Sequence, residues 1–164
     1  MTARPGEADT AFQLAGVAAA ARAVRALLPS DPPAVEITER VTEEWLADDR
    51  RALGNRAAAV AVLEGPADVG FAAVRDGRTV VAKGRVALSD GPDPWLGITD
   101  VWVSSTHRRQ GLASVVLQAM LRWGAERGSA TAYLQVREDN TPGVALYARL
   151  GFVSHHSYRY LRPG

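Results

Sequence analysis

The second half of the chain alternates between strand-like and helix-like segments, and this alternation restricts the possible folds more than any other feature. Residues 95–103, 131–136 and 151–161 carry the apolar and β-branched runs that are typical of strands. Residues 112–127 place a polar residue at every fourth position of an apolar stretch, which indicates a helix with one wet edge. Residues 141–150 predict a shorter helix. This succession predicts an α/β fold with helices packed on a sheet.

The first half adds further strands, so the sheet is expected to be mixed. Alternation of apolar and polar residues over 34–41 predicts a strand, and residues 57–64 predict another. Residues 68–88 predict a β-hairpin that turns at Asp76–Gly77, because Asp-Gly is a favoured turn pair. These strands precede the alternating half and extend its sheet.

The N-terminal segment is predicted to stand apart from the sheet. Residues 12–28 are rich in alanine and indicate a helix, which the prolines of residues 29–33 would end. We therefore expect residues 1–33 to be a helical appendage with a Pro-rich linker, a packing arm or the end of a longer element. The remaining domain, residues 34–164, would include a further helix that Thr42 caps.

Composition excludes several classes of protein. The chain has no cysteine, which excludes a disulfide framework, a zinc–thiolate site and a cysteine nucleophile. No apolar run approaches the roughly 18 residues of a membrane-spanning helix. The first residues are too polar for a secretory signal. We expect a cytoplasmic protein that binds no membrane and no metal.

Charge is unevenly distributed along the chain. The formal net charge is +1, but from residue 101 onward eight basic residues face three acidic ones. A surplus of this size suits a small polyanion better than a nucleic acid, which usually demands a stronger basic footprint. Lys83 is the one lysine among the 19 basic residues, which we attribute to codon usage.

The segment HRRQGLAS, residues 107–114, joins a predicted strand to a predicted helix. The first amides of a helix have no partners within it, and with the helix dipole they form an anion site. Gly111 would let the backbone bend and approach a phosphate, while Arg108 and Arg109 add permanent positive charge. The alternative is a solvated helix start with a glycine that serves only the turn. Neither a P-loop nor a GxGxxG motif is present.

A second motif stands about thirty residues further on, as NTPGVALYARLGF in residues 140–152. Together with VWVSSTHRRQGLAS it resembles the GNAT superfamily of N-acetyltransferases, whose signature is [RQ]xxGx[GA] at a helix start and a later N…LYxxxGF corner. The resemblance extends over roughly residues 67–161. The matching residues are Arg108, Gly111, Ala113, Asn140, Leu146, Tyr147, Gly151 and Phe152.

The resemblance implies acetyl-CoA as the acyl donor and a sheet whose splayed strands form its cleft. Val101, Trp102 and Val103 would offer backbone groups to the pantetheine arm. Asn140 would bind the pantetheine region, or cap the helix that follows it. The pyrophosphate would lie on the amides at the helix start. The residues implied there are Arg108, Arg109, Gln110, Gly111, Leu112, Ala113 and Ser114.

The resemblance also implies two catalytic roles. Tyr147 would donate a proton or hydrogen bond to the leaving thiolate, its alternative being a packed aromatic ring. A base must take the proton of the attacking amine. Some family members use a glutamate where this chain has Gln135, which cannot act as a base. Asp100 is then the best remaining candidate for the base, its alternative being an ordinary aspartate at a strand end. Glu138 is a weaker candidate for the base.

These residues lead to the hypothesis of direct acetyl transfer to a primary amine in a ternary complex. The alternatives are an acyl-CoA-binding sensor without transfer and a nucleic-acid-binding domain. The acceptor is open, and a homodimer is possible. His155 and His156, adjacent on the last predicted strand, should face opposite sides of the sheet, so only one could line the cleft. The tryptophans are interpreted as core or cleft-wall residues.

Overall fold

The computed structural model describes residues 9–159, which form one seven-stranded sheet flanked by helices. The strands lie in the order β2-β3-β4-β5-β6-β1-β7. Neighbours are antiparallel except for β5 and β6, which are parallel, so the predicted mixed α/β sheet is confirmed. The strands are β1 (Thr10–Gly16), β2 (Glu36–Thr38), β3 (Val69–Asp76), β4 (Thr79–Leu88), β5 (Trp95–Val103), β6 (Thr131–Arg137) and β7 (Val153–Tyr158). The helices are α1 (Val17–Arg25), α2 (Glu43–Leu46), α3 (Arg50–Gly54), α4 (Arg56–Leu63), α5 (Leu112–Glu126) and α6 (Thr141–Arg149).

Two apolar clusters cover opposite faces of the sheet. Ala72 and Val74 of β3 join the larger cluster, which includes the buried faces of α1 and α5. Phe71 and Ala73 alternate with them along the strand and pack instead with α2 and α4 around Trp45. Strand β3 is therefore buried on both faces.

Residues 10–16 form a strand within the sheet, so the predicted helix over residues 12–28 is wrong in its first part. Strand β1 lies between β6 and β7, and its burial alternates with a period of two through Ala11, Gln13 and Ala15. Pairing with two distant strands outweighs the helix propensity of alanine. The expected appendage is also wrong for these residues, because α1 buries Val17 and Val24 in the larger cluster. Residues 1–8 lie outside the described range.

Residues 56–63 form the helix α4, so the strand predicted over residues 57–64 is wrong. The Asn55 side chain accepts a hydrogen bond from the Ala58 amide and caps α4, which buries Ala59 and Leu63. Short apolar runs do not distinguish a strand from a buried helix. The predicted strand over 34–41 also shrinks to the three residues of β2.

The helix predicted to follow Thr42 is interrupted. Thr42 caps α2 as expected, by accepting from the Trp45 amide at 3.2 Å. Asp49 then caps a separate helix, α3, through the Arg51 amide at 2.9 Å. The hairpin of β3 and β4 is present, but its turn residues are Gly77, with φ of 61°, and Arg78.

Strands β5 and β6 separate partway along their length. They pair only from Trp95–Ile98 with Thr131–Leu134, and the later residues of each have no such pairing. Asp100 takes a left-handed backbone conformation, with φ of 57°, where the register between β4 and β5 shifts. The splayed strands that the resemblance implied are present, and the gap between them opens beside the start of α5.

Candidate functional site

A cleft of about 580 Å³ opens where β5 and β6 diverge. The end of β5, the loop before α5 and the first turns of α5 and α6 form its walls. All the residues that the resemblance implied for acetyl-CoA binding line this cleft, except Gln110. The lining residues are Val101, Trp102, Val103, His107, Arg108, Arg109, Gly111, Leu112, Ala113, Ser114, Asn140, Pro142, Gly143, Leu146 and Tyr147.

The start of α5 presents free amides to this cleft. No side chain caps the helix, and its first turn closes with the Val115 amide donating to the Gly111 carbonyl at 3.1 Å. The amides of the three residues between them have no partner within the helix. Arg108 and Arg109 are exposed beside them. The arrangement has the amides and positive charge that bind a phosphate.

Glycine is required at position 111 by the backbone conformation there and by neighbouring residues in the segment that follows α1. Its φ is 74°, a conformation that favours glycine. A Cβ there would lie 3.2 Å from Pro29 Cδ and 3.4 Å from the Leu27 carbonyl oxygen. The space that the missing side chain leaves is therefore used by residues 27–29, which support the loop from behind.

Asn140 caps α6, which is the structural alternative to cofactor binding that its sequence position suggested. Its Oδ1 accepts a hydrogen bond from the Gly143 amide at 3.2 Å. Gly143 leaves room for this contact, because a Cβ would come within 2.6 Å of Asn140 Nδ2. The cap fixes the first turn of α6 against the cleft, and the side chain also lines it.

Tyr147 is buried at the inner wall of the cleft. Its ring packs edge-to-face against Phe152, with 5.9 Å between ring centroids. Burial raises the pKa of the phenol to about 12, so the hydroxyl keeps its proton at neutral pH. Within residues 9–159 the hydroxyl has no hydrogen-bond partner. It is therefore a protonated donor without an acceptor.

Asp100 lies in a different cleft, on the other side of the end of β5. This second cleft has a volume of about 360 Å³ and shares Val101 and Trp102 with the first. One Asp100 oxygen accepts from Arg51 at 2.9 Å, so the carboxylate is held in an ion pair. Glu138, the weaker candidate base, accepts from the Ser157 hydroxyl at 2.6 Å.

Lys83, for which no site was expected from the sequence, is the buried cation of the second cleft. Its side chain is on β4, and the residue is 7% exposed. The ammonium donates to the Trp45 carbonyl at 2.6 Å and lies 5.5 Å from the centre of the Trp102 ring. Burial lowers the pKa of Lys83. A single lysine within an apolar strand was the available signal, since lysine is rarely buried.

His155 and His156 lie on the same face of the sheet, against the prediction. The register of β7 against β1 shifts there, so that Phe12 pairs with His156 and Gln13 with Ser154. The extra residue is a bulge, which breaks strict alternation. Both imidazole rings contact Phe12, and their Nδ1 atoms are 2.9 Å apart.

The four tryptophans divide between core and surface. Trp45 and Trp123 are buried, as expected, and Trp102 forms a wall of both clefts. Trp95, which was expected in the core or in a cleft wall, is instead 40% exposed and contacts Tyr133.

The family model described as "Probable histone acetyltransferase Rv0428c C-terminal" matches residues 7–161, nearly the whole chain. The chain belongs to this family of the GNAT superfamily. The match includes β1 and α1, in agreement with the place of β1 in the sheet and the burial of α1 in the larger cluster. The recognition made from the two motifs is thereby confirmed.

Curated relatives carry acetyltransferase names. The "Uncharacterized N-acetyltransferase YobR" of Bacillus subtilis is 31% identical over 94 residues, which cover 56% of this chain and 37% of that protein. The probable histone acetyltransferase Rv0428c of Mycobacterium tuberculosis is 37% identical over 84 residues, covering 49% and 27%. The mycothiol acetyltransferase of a Nocardioides strain is 31% identical over 132 residues, covering 77% and 42%. The chain thus spans less than half the length of each of these relatives.

Solved structures share the fold. A tandem GNAT protein from the clavulanic acid biosynthesis pathway superposes with a TM-score of 0.68 at 17% identity, over 95% of this chain and 53% of that one. AAC(6')-Iy in complex with a CoA-linked bisubstrate analogue gives a TM-score of 0.62 at 15% identity, over 80% and 99%. Within residues 9–159, no helix has the length and apolar character to span a bilayer, and no cluster of three or more His, Asp or Glu side chains could hold a metal.

Proposed function

We propose that this GNAT domain transfers an acetyl group from acetyl-CoA to a primary amine by direct attack in a ternary complex. The observation that carries the proposal is the single cleft that joins free helix-start amides to a buried, protonated tyrosine. Relatives named N-acetyltransferases and a structural neighbour bound to a CoA-linked bisubstrate analogue support it.

The donor would bind along the cleft from the loop to Tyr147. The amides at the start of α5 would hold the pyrophosphate, while Arg108 and Arg109 attract it electrostatically. The splayed end of β5 would offer Val101–Val103 backbone groups to the pantetheine arm, because β6 no longer pairs with them. Asn140 would bind there through whichever polar atoms its cap leaves free.

The chemistry requires two proton movements. The amine nitrogen attacks the thioester carbonyl carbon, the amide bond forms, and the carbon–sulfur bond breaks. The Tyr147 hydroxyl would stabilise the leaving sulfur by donating its hydrogen bond or proton. The proton of the amine would pass to Asp100 through water, with the oxygen that Arg51 leaves unoccupied as the acceptor.

A thiol-release assay with a panel of primary amines tests this proposal, together with calorimetry of acetyl-CoA binding. We expect submillimolar binding of acetyl-CoA and amine-dependent release of CoA thiol. Absence of acetyl-CoA binding at these concentrations would overturn the proposal. Binding without thiol release on any amine would favour the acyl-CoA sensor, for which Gln135 and the ion-paired Asp100 are the supporting observations.

A further inference from the structure

The second cleft opens beside the acetyl-CoA cleft and shares its wall. Val101 and Trp102 line both, so an amine in the second cleft would reach the thioester at the end of β5. The second cleft is small, at about 360 Å³. Its charged lining residues are Asp48, Asp49, Asp100, Arg50, Arg51 and Lys83.

Two of its three carboxylates are already engaged by one arginine. Arg51 Nε donates to Asp49 Oδ1 at 2.9 Å, and its terminal nitrogen donates to Asp49 Oδ2 at 2.6 Å. The same terminal nitrogen donates to Asp100 at 2.9 Å. Arg51 is bidentate on the buried Asp49, which lowers the pKa of that carboxyl to about 2. The cleft therefore offers no surplus of negative charge.

Of the two buried charged residues in this cleft, Lys83 is less completely satisfied than Asp49. Within the described part of the chain, Lys83 donates only to the Trp45 carbonyl and has no carboxylate in hydrogen-bond contact. A buried ammonium with spare donors is costly unless an acceptor or an anion satisfies it. Arg50 is exposed at the same cleft.

We propose that the acceptor is a small primary amine that carries a carboxylate of its own. This inference rests on the proposed acetyl transfer and names its substrate class. Lys83, with Arg50 beside it, would bind the carboxylate, and the free oxygen of Asp100 would receive the ammonium. A polycation would find three lining cations against three carboxylates, with three of the four oxygens of Asp49 and Asp100 already occupied by Arg51.

Three five-carbon amines test the charge preference at constant length: δ-aminovalerate, pentylamine and cadaverine. The measurement is kcat/KM for thiol release at low ionic strength. We expect δ-aminovalerate to exceed both others by about tenfold, roughly what one charge-assisted contact contributes. In Lys83→Met, the ratio of δ-aminovalerate to pentylamine should fall towards one. Arg122→Met, which removes an exposed cation from α5, should keep the original ratio.

A binding measurement keeps the inference testable without turnover. Trp45 and Trp102 flank the Lys83 ammonium, so valerate should change tryptophan fluorescence in the presence of CoA, and Lys83→Met should lose the change.

A greater kcat/KM for cadaverine, or equal rates on all three amines, overturns the inference and leaves acetyl transfer intact. Thiol release on none of the three amines overturns the inference about the acceptor, whereas the wider amine panel decides on acetyl transfer; valerate binding retained in that case would show an anion site that does not serve the acceptor. The absence of both thiol release and valerate binding overturns the anion site as well. Circular dichroism verifies that each variant is folded.

Discussion

At the residue scale, the site depends on groups whose environment sets their chemistry. Burial raises the pKa of the Tyr147 phenol, and the left-handed backbone of Gly111 shapes the loop ahead of the free amides. Arg109 also has a positive φ, of 64°, next to the same loop. These features are local, and single substitutions should separate the binding of acetyl-CoA from its turnover.

Substitution of Tyr147 by Phe should reduce kcat while leaving the affinity for acetyl-CoA nearly unchanged. The hydroxyl is expected to act on the leaving sulfur, whereas the ring packs against Phe152 in either case. A loss of general-acid catalysis predicts a decrease of about 100-fold in kcat. Thiol release and calorimetry measure the two quantities, with Tyr133→Phe, on β6 outside the cleft, as the control. An unchanged kcat would remove Tyr147 from the acid role.

The raised pKa of Tyr147 also makes stability depend on alkaline pH. The folded phenol holds its proton up to about pH 12, whereas the unfolded phenol loses it near its usual value of 10.0. The stabilisation is therefore complete below pH 10 and is lost as the pH rises towards 12. Between pH 9 and pH 11 the free energy of unfolding should fall by about 1 kcal/mol more in the original chain than in Tyr147→Phe. Urea denaturation at the two pH values measures the difference, and equal losses would contradict it.

Gly111→Val should weaken acetyl-CoA binding more than Arg109→Ala. Valine would be strained at a φ of 74° and would push against Pro29, so the loop and its amides would move. Removal of the Arg109 side chain leaves the amides in place and deletes only an exposed charge. We expect at least a tenfold loss for the first and about threefold for the second. Calorimetry at two salt concentrations distinguishes them, because only the arginine effect should diminish with salt.

At the element scale, caps and bulges decide where side chains point. Asp49 caps α3 and fixes Arg51, which in turn holds Asp100 at the end of β5. The bulge in β7 places both histidines beside Phe12. The start of α3 thus places Asp49 and Arg51 next to β5, a strand about 50 residues away in sequence.

Asp49→Asn should destabilise the protein at neutral pH but much less in acid. Arg51 lowers the pKa of Asp49 to about 2, so its stabilisation is complete above the usual carboxyl value of 3.8 and is lost as the pH falls towards 2. We expect a loss of about 2 kcal/mol at pH 7 from the ion pair, because an asparagine oxygen can still accept the hydrogen bond of the helix cap. Urea denaturation at pH 7 and pH 2.5 should show the gap between the variant and the original chain closing. A gap of constant size would mean that the charge of Asp49 contributes nothing.

At the scale of the whole molecule, the N-terminal strand completes the sheet. Strand β1 pairs along its length with β6 and also joins β7, which otherwise has no partner in the sheet. Helix α1 then packs with α5, and the segment after it supports the loop at Gly111. The first described residues are therefore part of both the core and the site.

A chain that begins at residue 34 should fail to fold cooperatively. It would lack β1 and α1, leaving the edges of β6 and β7 and the apolar face of α5 uncovered. Ala11→Glu should also destabilise the full chain strongly, because Ala11 is 4% exposed in the core. Ala18→Glu, on the exposed side of α1, is the matched control. A cooperative thermal transition in the shortened chain would show that residues 1–33 are dispensable.

The sequence alone determined the α/β class and the superfamily, and it named most of the residues that line the larger cleft. These follow from local patterns: the periodicity of α5, the cap and corner around α6, and a glycine before free amides. The tertiary structure decided the position of β1, the helical state of residues 56–63 and the cleft around Lys83. The first and the last of these depend on partners more than 20 residues away, as in the contacts of Thr10 with Arg137 and of Lys83 with Trp45. Local propensity carries no information about such pairings, because their free energy arises only when distant segments bury one another.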